Sequence, residues 1–329
     1  MLGGVAASVA LGLLIGAAVG ALMTRGKVCF NAALRRAAFE REPTVLRIFA
    51  IAVALQLLVL PALTLLGVSL APVGLFPVAQ ILGGLVFGAG MALAGGCITG
   101  ILWKTGAGSI ATAVAIAGFA LGELLIRGPG RQALAGLDGA SARPREQTLH
   151  DALGLPYEPV AVVVGVLALA LLLRRNRAGM GLGLGLGALS ALAWLAADWV
   201  EAGYGLGFTG AAENVGRSVA AGDPTLLGWP VFLALGVLGG AALAARGPLR
   251  RPDFPRLARA LAGGVLMGFG ANKAHGCNIG LGLAGIPTLS LGSTLAVAFM
   301  AIGALAVRRL VLVPLPALRG RERPEPAGW

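Results

Sequence analysis

The sequence predicts an all-α integral membrane protein of about nine transmembrane helices plus short re-entrant helices, organised as two inverted repeats. Three observations carry that prediction. The 329 residues are 57% apolar and only 12% charged, about half the charge of an ordinary soluble domain. Apolar runs at 46–66, 107–126, 157–173, 179–197 and 288–307 approach the length of a bilayer crossing. A glycine and cysteine pattern also occurs twice: Gly83, Gly84, Gly88, Gly90, Gly96, Cys97 and Gly100 recur 180 residues later as Gly263, Gly264, Gly268, Gly270, Gly276, Cys277 and Gly280. Agreement at one offset marks a duplicated unit, and duplicated hydrophobic chains with interrupted spans are the build of transporters and channels.

The first crossing is read at 3–23, where Met1 opens into apolar sequence with neither a basic leader nor an Ala-x-Ala site, so this segment is expected to stay as a span. Further crossings follow at 46–67, 77–95, 107–126, 157–173, 179–199, 226–245, 258–275 and 288–307. Between them, 27–38, 97–104, 205–216 and 277–285 are too short to cross but apolar enough to enter the protein interior, where irregular backbone is tolerated. The stretch 128–156, with Pro129, Pro144, Pro156 and mixed charge, is expected to be an external connector carrying at most a short surface helix. Beyond residue 311 four prolines stand among arginines and glutamates, a composition that builds little structure. The expected organisation is a first membrane repeat over 1–127, the connector over 128–156, a second membrane repeat over 157–310 and a cytoplasmic tail over 311–329.

Charge sets the expected orientation. With the N-terminus outside, 20 of the 26 lysines and arginines fall on the cytoplasmic side, among them Arg35, Arg36, Arg174, Arg175 and the cluster from Arg246 to Arg259. The other side receives only Arg127, Arg131, Arg143, Arg145, Arg217 and Lys273, together with most of the acidic residues. The positive-inside rule therefore puts the N-terminus in the periplasm and the C-terminus in the cytoplasm. The two copies of the repeat then run in opposite directions. The formal charge of +12 does not point to nucleic acid, because the basic residues sit in short clusters between apolar runs and aromatics make up only 5%.

The three cysteines lie at span ends and are expected to be free thiols. Cys97 and Cys277 each open a Gly-Cys-x-x-Gly sequence, and Cys29 follows Arg25-Gly26-Lys27-Val28. Two readings fit them. Cysteine is a common inert core residue, whereas a thiol at the first turn of a short helix sits beside free backbone N–H groups and the positive dipole end, where an anion can be held. Gly96, Gly100, Gly276 and Gly280 flank the breaks and serve either as turns or as points of close approach for a small ligand. Asn31, Thr99 and Asn278 add polar groups within two residues of the thiols, and Lys273 and His275 precede Cys277. Lys104 and Lys273 fit either electrostatic attraction of an anion or snorkelling toward headgroups. A weaker match extends the repeat: Cys29-Phe30-Asn31 aligns with Gly207-Phe208-Thr209 at an offset of 178, so the second half lacks the thiol of Cys29. No metal, ATP or other cofactor is expected, since the chain has neither C-x2-C, H-E-x-x-H nor Gly-x4-Gly-Lys-Ser/Thr.

At Arg25-Gly26-Lys27-Val28-Cys29-Phe30, Ala94-Gly95-Gly96-Cys97-Ile98-Thr99-Gly100 and Ala274-His275-Gly276-Cys277-Asn278-Ile279-Gly280 the chain resembles the YeeE/YedE sulfur-transport family, over nearly its whole length. The resemblance implies an hourglass-like fold in the bacterial inner membrane and uptake of thiosulfate or a related small sulfur anion. It also implies that Cys29, Cys97 and Cys277 conduct the anion through S–H contacts along a central passage. Membrane lipids and a separate cytoplasmic sulfur-carrier protein are the implied partners. Family members also handle other sulfur or selenium species. A different class, a membrane thiol or persulfide redox relay, would use the same cysteines covalently, although the chain has no C-x-x-C pair. No enzyme activity is expected.

Overall fold

The computed structural model describes residues 2–127, 148–245, 247–249 and 252–312. Among them the chain is helical, with one isolated backbone bridge between Thr148 and Ser290. In the first half, α1 (Leu2–Gly26), α2 (Phe30–Phe39), α3 (Thr44–Leu65), α4 (Pro77–Ala94), α5 (Ile98–Gly106) and α6 (Ile110–Arg127) follow one another. A one-turn helix α7 (Leu149–Leu153) and a long helix α8 (Tyr157–Arg175) come next. The second half contains α9 (Met180–Trp199), α10 (Ala211–Ala221), α11 (Gly228–Ala244), α12 (Phe254–Lys273), a π-helical segment (Gly280–Gly285) and α13 (Leu291–Val307). The expected tail lies outside the described residues after Leu312, as does most of the expected connector, of which α7 is a described part.

The molecule is a multi-pass α-helical membrane protein. Among the described residues, seven helical stretches are long and apolar enough to cross a bilayer: Val5–Phe39, Thr44–Leu65, Pro77–Gly106, Ile110–Arg127, Tyr157–Arg174, Met180–Trp199 and Leu291–Val311. The apolar helix Gly228–Ala244 is shorter, and Phe254–Lys273 spans 20 residues but carries Arg256, Arg259 and Lys273. Helix α12 starts earlier than its apolar run, because Asp253 stands extended before it and Pro255 fits the first turn, where its missing N–H costs nothing.

Helix contacts repeat when the halves are exchanged, with α1 matched to α9, α2 to α10, α3 to α11, α4 to α12, α5 to the π segment and α6 to α13. Thus α1 packs on α11 as α9 packs on α3, α6 on α12 as α13 on α4, and α5 on α11 as the π segment on α3. At the centre α4 packs on α12. Helix α8 packs on α3 and has no counterpart among the described elements of the first half.

The repeated glycines explain how closely these helices approach. A Cβ on Gly90 would lie 2.6 Å from the carbonyl oxygen of Gly263, and one on Gly263 would lie 2.7 Å from that of Gly90. Gly83 and Gly270 stand in the same reciprocal relation, at 2.9 and 2.7 Å. Gly84 and Gly88 face backbone oxygens of α13, while Gly264 and Gly268 face those of α6. These eight glycines are therefore the contact surface between backbones, the usual role of small residues between membrane helices.

Candidate functional site

The two Gly-Cys-x-x-Gly sequences fold into equivalent turns. Helix α4 ends at Gly95 in the left-handed conformation, φ 73°, and Gly96 N–H donates back to the Met91 oxygen at 3.2 Å. Cys97 then caps α5: Gly100 N–H donates to its sulfur at 3.3 Å and Ile101 N–H to its carbonyl oxygen at 2.7 Å. One repeat later, Gly276 N–H donates to the Ala271 oxygen at 2.8 Å, Gly280 N–H to the Cys277 sulfur at 3.3 Å and Leu281 N–H to the Cys277 oxygen at 2.8 Å. A sulfur that accepts an N–H still has its own S–H to donate. The left-handed position held by Gly95 is occupied in the second half by His275, at φ 60°. A non-glycine residue is strained there. His275 stacks on Phe76 with ring centroids 4.3 Å apart.

The third thiol breaks the symmetry. Cys29 stands extended before α2, buried, with its sulfur 3.7 Å from that of Cys97. A Cβ on Gly100 would lie 2.6 Å from the Cys29 sulfur, so glycine is required for the two thiols to meet over the first turn of α5. At the matching place in the second half, the Cβ position of Gly280 is 3.6 Å from Cα of Gly207 and 3.5 Å from the Cys277 sulfur. The loops before α2 and α10 are each held by an indole: Trp103 Nε1 donates to the Val28 oxygen at 3.0 Å and Trp229 Nε1 to the Gly205 oxygen at 2.8 Å.

A cavity of about 470 Å³ lies on the Cys277 side. It gathers four of the residues singled out in the sequence, His275, Gly276, Cys277 and Gly280, and adds Arg127, Tyr204, Gly207, Thr209, Trp229 and Asn272. Arg127 pairs with Glu213, and its Nε is buried without a hydrogen-bond partner, as is Oγ1 of Thr209. Tyr204 donates to the Gly280 oxygen at 2.9 Å. Neither the spacing of the motifs nor their composition pointed to Arg127 or Tyr204; the charge count did place Arg127 among the few basic residues on its side.

The remaining candidates lie apart from this vestibule. Asn31 donates to the Met91 oxygen at 3.0 Å, tying α2 to α4. Thr99 is fully buried beside Cys97, and its hydroxyl has no hydrogen-bond partner. Asn278 is buried with both amide atoms unpartnered, and it lines a second cavity of about 500 Å³ that is otherwise apolar. Lys273, the last residue of α12, is buried. Lys104 donates to the Gly95 oxygen at 2.8 Å. No group of three or more His, Cys, Asp or Glu side chains suited to a metal ion occurs among the described residues. All three cysteines are buried free thiols, outside any disulfide.

The short helix α10 is fixed by a carboxylate. Glu123, fully buried on α6, accepts from Gly210 N–H at 2.6 Å and Ala212 N–H at 3.3 Å, filling the N-terminal turn of α10 with protein charge.

A family model described as sulphur transport matches residues 25–181 and 178–306, nearly the whole of both halves. The chain belongs to the sulphur transport family. Within it, the chain is 30% identical over 317 residues to the thiosulfate transporter TsuA of Spirochaeta thermophila, covering 89% of this chain and 96% of that one. It is 28% identical over 333 residues to the thiosulfate transporter TsuA of Escherichia coli, covering 92% and 94%. A probable transporter, YedE of Salmonella typhimurium, is 39% identical over 89 residues, 26% of this chain and 22% of that one. This sulphur transport family member is accordingly a membrane transporter rather than an enzyme.

Proposed function

We propose that the chain takes up thiosulfate across the bacterial inner membrane through a central passage served by Cys277, Cys97 and Cys29. The observation that carries this reading is the cavity of about 470 Å³ that reaches Cys277 at the capped turn of the second re-entrant segment. Its lining comes from segments that the charge count assigns to the outside: the end of α6, the stretch 204–209, the start of α11 and the turn 275–280. In this reading the N-terminus is periplasmic, the C-terminus is cytoplasmic, nine helices cross, and the two halves are inverted about the plane of the membrane.

The chemistry follows from the groups present. Arg127 and Thr209 offer buried donors without protein partners at the vestibule wall, where an oxyanion entering from water replaces its lost hydration. Cys277 then donates its S–H while its sulfur stays anchored by Gly280 N–H, at the start of a short helical segment whose dipole favours negative charge. The paired thiols of Cys29 and Cys97 form the next station, with the Thr99 hydroxyl beside them. Thiol donors are weak, so each station holds the anion loosely enough to release it to the next. Lipid surrounds the helices, and a cytoplasmic sulfur-carrier protein would receive the cargo.

Uptake of labelled thiosulfate into vesicles reconstituted with the purified protein tests the assignment. Uptake above that of empty vesicles, competed by unlabelled thiosulfate, is expected. Uptake equal to empty vesicles would remove the cargo.

A further inference from the structure

A glycine inside a folded chain usually has one of two structural reasons, a left-handed backbone or a neighbour too close for a Cβ. Gly207 has neither. Its φ lies outside the left-handed region, and a Cβ built on it would meet only the Tyr204 ring, at 3.4 and 3.7 Å, in ordinary contact. Beyond that ring it would meet nothing within 4 Å. The contrast with its surroundings is sharp: a Cβ on Gly205 would lie 2.9 Å from the Trp194 ring, and one on Gly276 2.8 Å from Leu281. Alanine at 207 therefore fits the fold and would stabilise it by reducing the freedom of the unfolded chain.

The space left open belongs to the vestibule that reaches Cys277, since Gly207 is one of its lining residues. At the matching position of the first half stands Cys29, whose sulfur fills the corresponding place and touches that of Cys97. We propose that Gly207 is a specificity-determining residue: its missing side chain is the clearance through which an anion reaches the Cys277 thiol, and the size of residue 207 sets the size of anion that passes. This rests on the thiosulfate reading above for its cargo, but the clearance itself concerns access to Cys277 alone.

The test uses Gly207→Ala and Gly207→Leu in the full chain, with two readouts. Labelled thiosulfate uptake, normalised to folded protein by thermal unfolding in detergent, should fall from glycine to alanine and reach the level of empty vesicles with leucine, while Gly207→Ala unfolds at or above the wild-type temperature. The rate at which methyl methanethiosulfonate modifies Cys277, followed by mass spectrometry in a Cys29→Ala/Cys97→Ala background, should fall in the same order. If wild-type protein takes up no thiosulfate but Cys277 modification still slows with side-chain size at 207, the cargo is wrong and the clearance stands. Equal modification rates in glycine, alanine and leucine proteins, or wild-type uptake by folded Gly207→Leu, would overturn the proposal.

Discussion

Cys29 and Cys97 are 68 residues apart in the chain, yet their sulfur atoms lie 3.7 Å apart over the first turn of α5. That contact exists because Gly100 offers no Cβ: one built there would stand 2.6 Å from the Cys29 sulfur and 3.2 Å from that of Cys97. The thiol pair and the glycine beneath it are thus one structural unit.

Replacing Gly100 by alanine should push the two thiols apart and cost about 1–3 kcal/mol of stability, the usual penalty of overpacking a tight core. Gly280→Ala should cost less, because the nearest atoms to its Cβ position lie 3.5 Å away. Thermal unfolding of the two variants in the same detergent compares them. Equal destabilisation would mean that the thiol pair yields freely to a methyl group.

Glu123→Ala should loosen α10, because Gly210 and Ala212 lose a charged acceptor while remaining inside the protein. Removing such a bond costs about 1.5–3 kcal/mol, and Glu123→Gln, which keeps an acceptor, should cost less. Hydrogen exchange at residues 210–214 reads the effect locally. Unchanged exchange in Glu123→Ala would show that α10 is held by its packing on α6 and α11 and by the Arg127–Glu213 pair.

If α9 crosses the bilayer as its length and apolarity suit it to, Asn176, between α8 and α9, and Glu201, after α9, face opposite sides of the membrane. Both are exposed. Single cysteines at these two positions, in a chain whose own three cysteines are alanine, should react with a membrane-impermeant maleimide from opposite faces of sealed vesicles. Labelling of both from one face would show that α9 does not cross.

Much of this fold was legible because hydrophobic runs and glycine spacing are local signals. Helix α4, expected over 77–95, is found at Pro77–Ala94, and α6, expected over 107–126, at Ile110–Arg127. The re-entrant segment expected over 205–216 becomes helical only at Ala211, since Gly203 and Gly210 take left-handed φ values of 73° and 87° and keep the intervening residues out of a helix. The site was harder to read. Sequence spacing brought Cys97 and Cys277 into register but said nothing of which thiols touch, because the contact of Cys29 with Cys97 is set by how the turn before α2 lies against the start of α5. The repeated glycines inside α4 and α12 are packing residues, as the reciprocal fit of Gly90 with Gly263 shows. Arg127 and Tyr204 enter the vestibule through tertiary arrangement, with no motif to announce them.

The central claim is that the three buried thiols carry the anion and are not packing residues. Its most direct test is the initial rate of thiosulfate uptake, normalised to folded membrane protein, for Cys29→Ala, Cys97→Ala and Cys277→Ala. Cysteine and alanine differ little in volume, so each variant should fold, while the loss of one S–H donor of about 1.4 kcal/mol should slow uptake by about tenfold or more. Near wild-type rates in all three variants would make the cysteines core residues and contradict the account.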